Sequence, residues 1–172
     1  MDFTIISSPR AAHQLSHQAA LADGLKAHGI NPILTLGNYA KTKHVACWGW
    51  RLGKVLRDAG KEVLVIERGY LGDRFQWSSL AWNGLNGRGE FAEAPDDAAR
   101  FKSNFTMQPW KRGGEYVLIM GQVPGDASLQ GRNMMPWYEN AAREAADKYG
   151  LPVQFRPHPL AARKGHVQRL KN

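Results

Sequence analysis

The chain has 172 residues, 43% of them hydrophobic and 22% charged, with a single cysteine and a formal net charge of +8. That balance excludes a chain disordered throughout, one thiol excludes an intramolecular disulfide, and no apolar run reaches the roughly 20 residues needed to span a bilayer. The length allows one well-buried domain or two small halves.

Phe3 to Ile6 reads as a first strand, and Ser7-Ser8-Pro9-Arg10 turns the chain into a helix over residues 12–28. Leu15, Ala19, Ala22 and Leu25 mark the inward stripe expected for it, and Gly29 its stop. Residues 32–36 and 44–48 read as the next strands, separated by a polar loop at 37–43. Cys47 falls in the apolar run of the third strand and reads as an inert core thiol in a reducing cytoplasm. Residues 49–59 then read as a helix with Leu52, Val55 and Leu56 inward and Gly60 closing it, and 62–67 as the clearest strand of this half. Short apolar strands alternating with helices predict an α/β fold, a parallel sheet with helices on both faces.

From Arg68 to Trp110 the texture changes, as five glycines between Gly69 and Gly89 mix with Tyr70, Phe75, Trp77, Trp82 and Phe91. This reads as a long aromatic, Gly-rich insertion with a short helical piece near 95–100. Loops of this length are functional or disordered, and this one is too aromatic for disorder. Its rings either pack over the sheet edge or form an acceptor-binding flap. Trp77 and Trp82, beside Ser78, Ser79 and Asn83, are the candidates for the second role.

Regular texture returns with the apolar run 116–120, followed by the loop from Gly121 to Leu129. Residues 136–149 read as a helix with Trp137, Ala141, Ala145 and Tyr149 inward, ended by Gly150. A strand through Phe155 then runs into Arg156-Pro157-His158-Pro159. The organisation expected is an N-terminal α/β unit over 1–68, a connecting segment over 69–112 and a C-terminal α/β unit over 113–172, together one compact domain. After Asp147 there is no acidic residue, while Lys148, Arg156, Arg163, Lys164, Arg169 and Lys171 are cations. The tail from Ala161 reads as exposed and dispensable, either a solvated basic end or a contact for nucleic acid.

A His between two prolines cannot sit in a regular helical core, and at the end of a strand it lies where open α/β sheets bind ligands. An anionic ligand is therefore expected at His158, with Arg156 or Lys164 as a second contact. Gln122 and Ser128 would supply neutral hydrogen bonds from the glycine-rich loop. Taken together, Gly121 to Leu129 and Arg156 to Pro159 resemble the C-terminal domain of GT-B glycosyltransferases of the capsule-polysaccharide type. The likeness is greatest to the Kdo and sialic acid transferases that use CMP-activated sugars. The resemblance implies Rossmann-like halves, a Gly-Gln loop bearing Asp126 and Ser128, and His158 on the nucleotide phosphate. It also implies a nucleotide sugar as substrate with no further cofactor. The Ser- and Glu-containing donor region that the resemblance implies after His158 has no counterpart, so the donor site is built differently, is completed by a partner, or belongs to a truncated relative without activity. The short chain with its basic tail would suit a phage.

Sugar transfer by inversion needs a base near the acceptor hydroxyl. Glu67, at a strand end, is one candidate and is otherwise an ion-paired strand terminus; Asp126 is a second and is otherwise a helix N-cap. Arg68, Tyr70, Trp77, Trp82 and Asn83 are the candidate acceptor contacts. The loops after Ile66, Met120 and Phe155 are expected to open on one crevice. His13 and His17 stand four apart on a helix, but no third ligand is positioned with them, so no metal is expected. Gly84 to Gly89 has the wrong spacing for a phosphate-binding glycine loop. The alternative to an enzyme is a non-catalytic nucleotide- or nucleic-acid-binding protein that keeps the phosphate site. A homodimer stays open as a further partner, and the location expected is cytoplasmic.

Overall fold

The computed structural model describes residues 1–8, 11–37, 39–73, 75–93, 97–163, 165 and 168–170. Two compact units divide the chain, Met1–Ala94 and Pro95–Asn172.

In the first unit β1 (Asp2–Ser7), α1 (Ala12–Ala27), β2 (Asn31–Leu36), β3 (His44–Trp48), α2 (Trp50–Asp58), β4 (Glu62–Arg68) and β5 (Ser78–Trp82) build one sheet. Its strand order is β2-β1-β3-β4-β5. The first four strands run parallel, and β5 returns antiparallel along β4, with Arg68 opposite Ser78 and Leu64 opposite Trp82. Alternate side chains divide into two clusters. Phe3, Ile5, Ala46, Leu64 and Ile66 meet Leu21, Ala22 and Leu25 of α1, while Ile6, Val45, Cys47, Val63 and Val65 meet Leu52 and Leu56 of α2. Burial on both faces is why these strands are almost continuously apolar. Each fully buried aliphatic side chain contributes about 1.5–3 kcal/mol.

Both helices stop in the same way. The amides of Gly29 and Ile30 donate back to Lys26 and Leu25, and those of Gly60 and Lys61 to Arg57 and Leu56. Gly29 and Gly60 take φ of +71° and +78° there, a left-handed conformation that side chains disfavour. The glycines expected to end these helices do so.

Ala22 and Leu25 of α1 and Leu52 and Leu56 of α2 face the core as expected, and the other expected inward positions do not. In α1 Gln18 and Ala22 are buried, while Leu15 and Ala19 face outward. Gln18 is satisfied inside, since its Nε2 donates to the Ile6 carbonyl at 2.6 Å and its Oε1 accepts from Ser7 Oγ at 2.6 Å. In α2 Gly53 and Leu56 are buried and Val55 is exposed, because the bare Gly53 lets the helix approach closely. A Cβ at Gly53 would lie 3.1 Å from both Trp50 and Val65 side-chain atoms. The insertion expected to be irregular also supplies β5, whose ladder to β4 supplies order that its local sequence lacks.

The second unit contains α3 (Ala99–Asn104), β6 (Val117–Met120), α4 (Met135–Tyr149), β7 (Val153–Arg156) and α5 (Pro159–Arg163). β6 and β7 pair in parallel as a separate two-stranded sheet, Val117 opposite Val153 and Met120 opposite Arg156. The strands expected in a single sheet thus fall into two sheets. In α4 Tyr138 is the buried anchor, its ring 5.2 Å from that of Phe155, while Trp137 and Tyr149 are exposed. The tail is not uniformly exposed either. Ala161 and Gln168 are buried, Gln168 because its amide bridges two backbone groups. Among the described residues no helix is long and apolar enough to cross a membrane.

Candidate functional site

In the first unit the chain leaves β1 in one direction to reach β2 and leaves β3 in the other to reach β4. The order therefore reverses between β1 and β3, where open α/β sheets carry a crevice at their carboxyl ends. A pocket of about 220 Å³ lies there, lined by Ser7, Ser8, Gln14, Gly37, Trp48 and Leu52. Glu67 and Arg68 end the neighbouring β4. A Cβ at Gly49 would come within 3.6 Å of Glu67 Oε1, which places this carboxylate against the turn from β3 into α2. Burial, and secondarily the Glu67 charge, push the Cys47 thiol up from 9.0 to about 12. The thiol is therefore protonated at neutral pH and unreactive.

Arg68 lies 3.4 Å from His13 Nε2 and 5.4 Å from the centre of the Phe75 ring. His13 and His17 both pack against Trp48, at 5.3 and 5.6 Å between ring centres. Their helical spacing thus serves one aromatic contact, although the buried His17 Nε2 has no hydrogen-bond partner among the described residues. Among the described residues no group of three or more His, Cys, Asp or Glu side chains is arranged to hold a metal.

The five acceptor candidates do not converge. Arg68, Tyr70 and Trp77 stand near the carboxyl end of β4, where the exposed Tyr70 hydroxyl bonds Asn86 Oδ1 at 3.0 Å and the Gly69 amide donates to the Trp77 carbonyl at 2.8 Å. Trp82 and Asn83 belong to the other end, about 13 Å away along the strand at roughly 3.3 Å per residue. Asn83 Oδ1 accepts from the Val63 amide at 2.9 Å and its Nδ2 donates to Glu62 at 3.1 Å. Those bonds fasten the end of β5 to β4. A separate open pocket of about 340 Å³ occurs there, with Lys43, His44, Glu62 and Glu90 beside Trp82 and Asn83.

In the second unit the loops after Met120 and Phe155 share one edge, the carboxyl end of β6 and β7, whereas the loop after β4 belongs to the first unit. The Gly121 amide extends the ladder to the Arg156 carbonyl at 2.8 Å. A side chain at Gly121 would stand 2.8 Å from Gln168 Oε1 and 3.3 Å from the His158 nitrogen, so the two loops meet only because this residue is bare. Gln168 locks them, as its Oε1 accepts from the His158 amide at 3.1 Å and its Nε2 donates to the Gln122 carbonyl at 2.8 Å. His158 Nδ1 accepts from the Leu160 amide at 3.1 Å. The proton of the neutral ring therefore sits on Nε2, which has no partner among the described residues. Arg156 is exposed and its side chain alternates with that of Phe155.

Asp126 Oδ1 accepts from the Ser128 amide at 2.9 Å and the Ser128 hydroxyl at 2.6 Å, capping the single 3₁₀ turn Ala127–Leu129. The capping alternative for Asp126 is thus observed, and Ser128 is spent on it. Lys164 lies outside the described residues. Sequence reasoning missed Arg132, Tyr138 and Gln168, which join Gln122 around a pocket of about 170 Å³. Tyr138 resembles the other aromatic residues of its helix in sequence, and its burial against Phe155 and its bond from the Gln122 amide at 2.7 Å distinguish it in the structure. No protein family, curated protein or solved structure matches the chain.

Proposed function

We propose that this protein is glycosyltransferase-like and binds a nucleotide-activated sugar, with the nucleotide phosphate at the carboxyl edge of β6 and β7. The observation that carries the reading is the orientation of His158. With Nδ1 committed to the Leu160 amide, the ring presents Nε2–H as a hydrogen-bond donor just past a strand end, two residues after the exposed Arg156. The division into two α/β units, one with its own switch-point crevice, supports the GT-B-like part of the reading. Glu67, near the end of β4, is the proposed base. Trp48 and Gln14 offer an aromatic face and a neutral hydrogen-bonding group that suit an acceptor sugar.

The test is calorimetric titration with CMP, UDP, GDP and ADP sugars, followed by a transfer assay with the tightest. His158→Ala is expected to weaken binding by about ten- to a hundredfold with the fold intact, the loss typical of a hydrogen bond to a charged group. Absence of binding by any of them, or equal affinity of the variant, would refute the reading. Binding without turnover would leave a nucleotide-binding protein that has no transfer activity.

A further inference from the structure

The pocket beside the start of α4 has an unusual hydrogen-bond balance. Its side-chain acceptors are used internally: Gln122 Oε1 takes the Val123 amide at 2.7 Å, Asn133 Oδ1 the Met135 amide at 3.1 Å, and Gln168 Oε1 the His158 amide at 3.1 Å. Its donors are not. Tyr138 is 2% exposed and its Oη accepts from the Gln122 amide, yet among the described residues nothing accepts the hydroxyl's own hydrogen. A buried hydroxyl rarely leaves its hydrogen unused, because water cannot replace the missing bond. Tyr138 is one of the residues that line the pocket.

The side-chain amide nitrogens of Gln122 and Asn133 are likewise without acceptors among the described residues. The Arg132 guanidinium has neither a hydrogen bond nor an ion pair among them, and no carboxylate of the described residues lines the pocket. A cation, a buried hydroxyl and two amides therefore converge with little to offer a donor. The volume, about 170 Å³, suits a single charged group and its nearest atoms rather than a whole cofactor. The pocket also adjoins the amino end of the 15-residue α4, where the helix dipole favours negative charge.

We infer that this pocket binds an oxyanion, the phosphate or carboxylate of a small ligand, with Arg132 supplying the charge and the Tyr138 hydroxyl a buried hydrogen bond. The inference is independent of sugar transfer, because it needs only a ligand with a terminal oxyanion.

Titration of the whole chain with inorganic phosphate and, separately, with malonate at constant ionic strength tests it, with the stronger probe distinguishing a phosphoryl from a carboxylate ligand. One saturable site is expected. Arg132→Gln should weaken it by about ten- to a hundredfold, with its unfolding midpoint unchanged because the exposed guanidinium bonds nothing among the described residues. Tyr138→Phe should also weaken it, and since that variant leaves the Gln122 amide unpaired, the Arg132 variant decides the matter if it fails to fold. No saturable binding of either probe, or unchanged affinity in Arg132→Gln, would overturn the inference.

Discussion

In the first unit β1, β3 and β4 are apolar on both faces, between α1 and α2. By contrast β6 and β7 have α4 over Ile119 and Phe155 and leave Leu118, Met120, Gln154 and Arg156 exposed. Parallel strands are normally covered on both sides, so the second sheet has far less apolar burial to hold it. The contrast separates two ways of building a ligand edge. Under the first crevice an apolar core on both faces of the sheet holds the strands, with Ser7 and Gln18 the polar pair tied into it. In the second unit Tyr138, Gln168 and Gly121 hold the sheet and shape the site together.

The largest expected effect is in the first unit. Ile66→Ala should cost about 2–5 kcal/mol in denaturant unfolding, through lost burial and the cavity left behind. A loss below 1 kcal/mol would show that the sheet is looser than its two faces imply.

The next effect depends on pH. Because the Cys47 pKa rises from 9.0 to about 12 on folding, the unfolded chain loses this proton first. The stabilisation is complete below pH 9 and disappears as pH climbs towards 12, by about 1.4 kcal/mol per pH unit within that window. Comparing the pH dependence of unfolding with that of Cys47→Ala isolates the contribution, and parallel curves would contradict the buried, neutral thiol.

In the second unit Gln168→Ala leaves the His158 amide and the Gln122 carbonyl without their partner, for a loss of about 1–3 kcal/mol. Hydrogen exchange should show faster opening at His158 with the β1 and β4 amides unaffected; equal acceleration in both units would break the separation drawn here. The smallest effects belong to the outward apolar positions. Leu15→Gln and Val55→Gln should each change stability by no more than about 0.5 kcal/mol, checked by thermal unfolding.

Strand and helix positions were legible because local signals agree with the fold, as at Gly29, Gly60 and Gly150, where helix stops take left-handed φ. Helix faces were less so. An apolar-stripe reading turns Gln18 outward and Leu15 inward, whereas the partners that bury Gln18 are Ser7 and the Ile6 carbonyl, on another element. Trp137 and Tyr138 are aromatic neighbours, and contacts on other elements, the Phe155 ring and the Gln122 amide, select the second. Strand β5 was hidden because Ser78-Ser79 and the flanking glycines weaken any strand pattern, and its order comes from pairing with β4. At the site the His158 turn and the Gln122 loop were legible from Pro and Gly placement. Gln168 and Arg132 were not, since a Gln in a basic tail and an Arg in a polar loop carry no pattern of their own.

The central claim is that the carboxyl edge of β6 and β7 holds the nucleotide phosphate. Backbone amide chemical shifts recorded during titration with CMP and UDP sugars test it residue by residue. The account predicts saturable shifts centred on Gln122, His158 and Leu160. Shifts confined to Ser7, Gln14 and Trp48, or none at all, would contradict it.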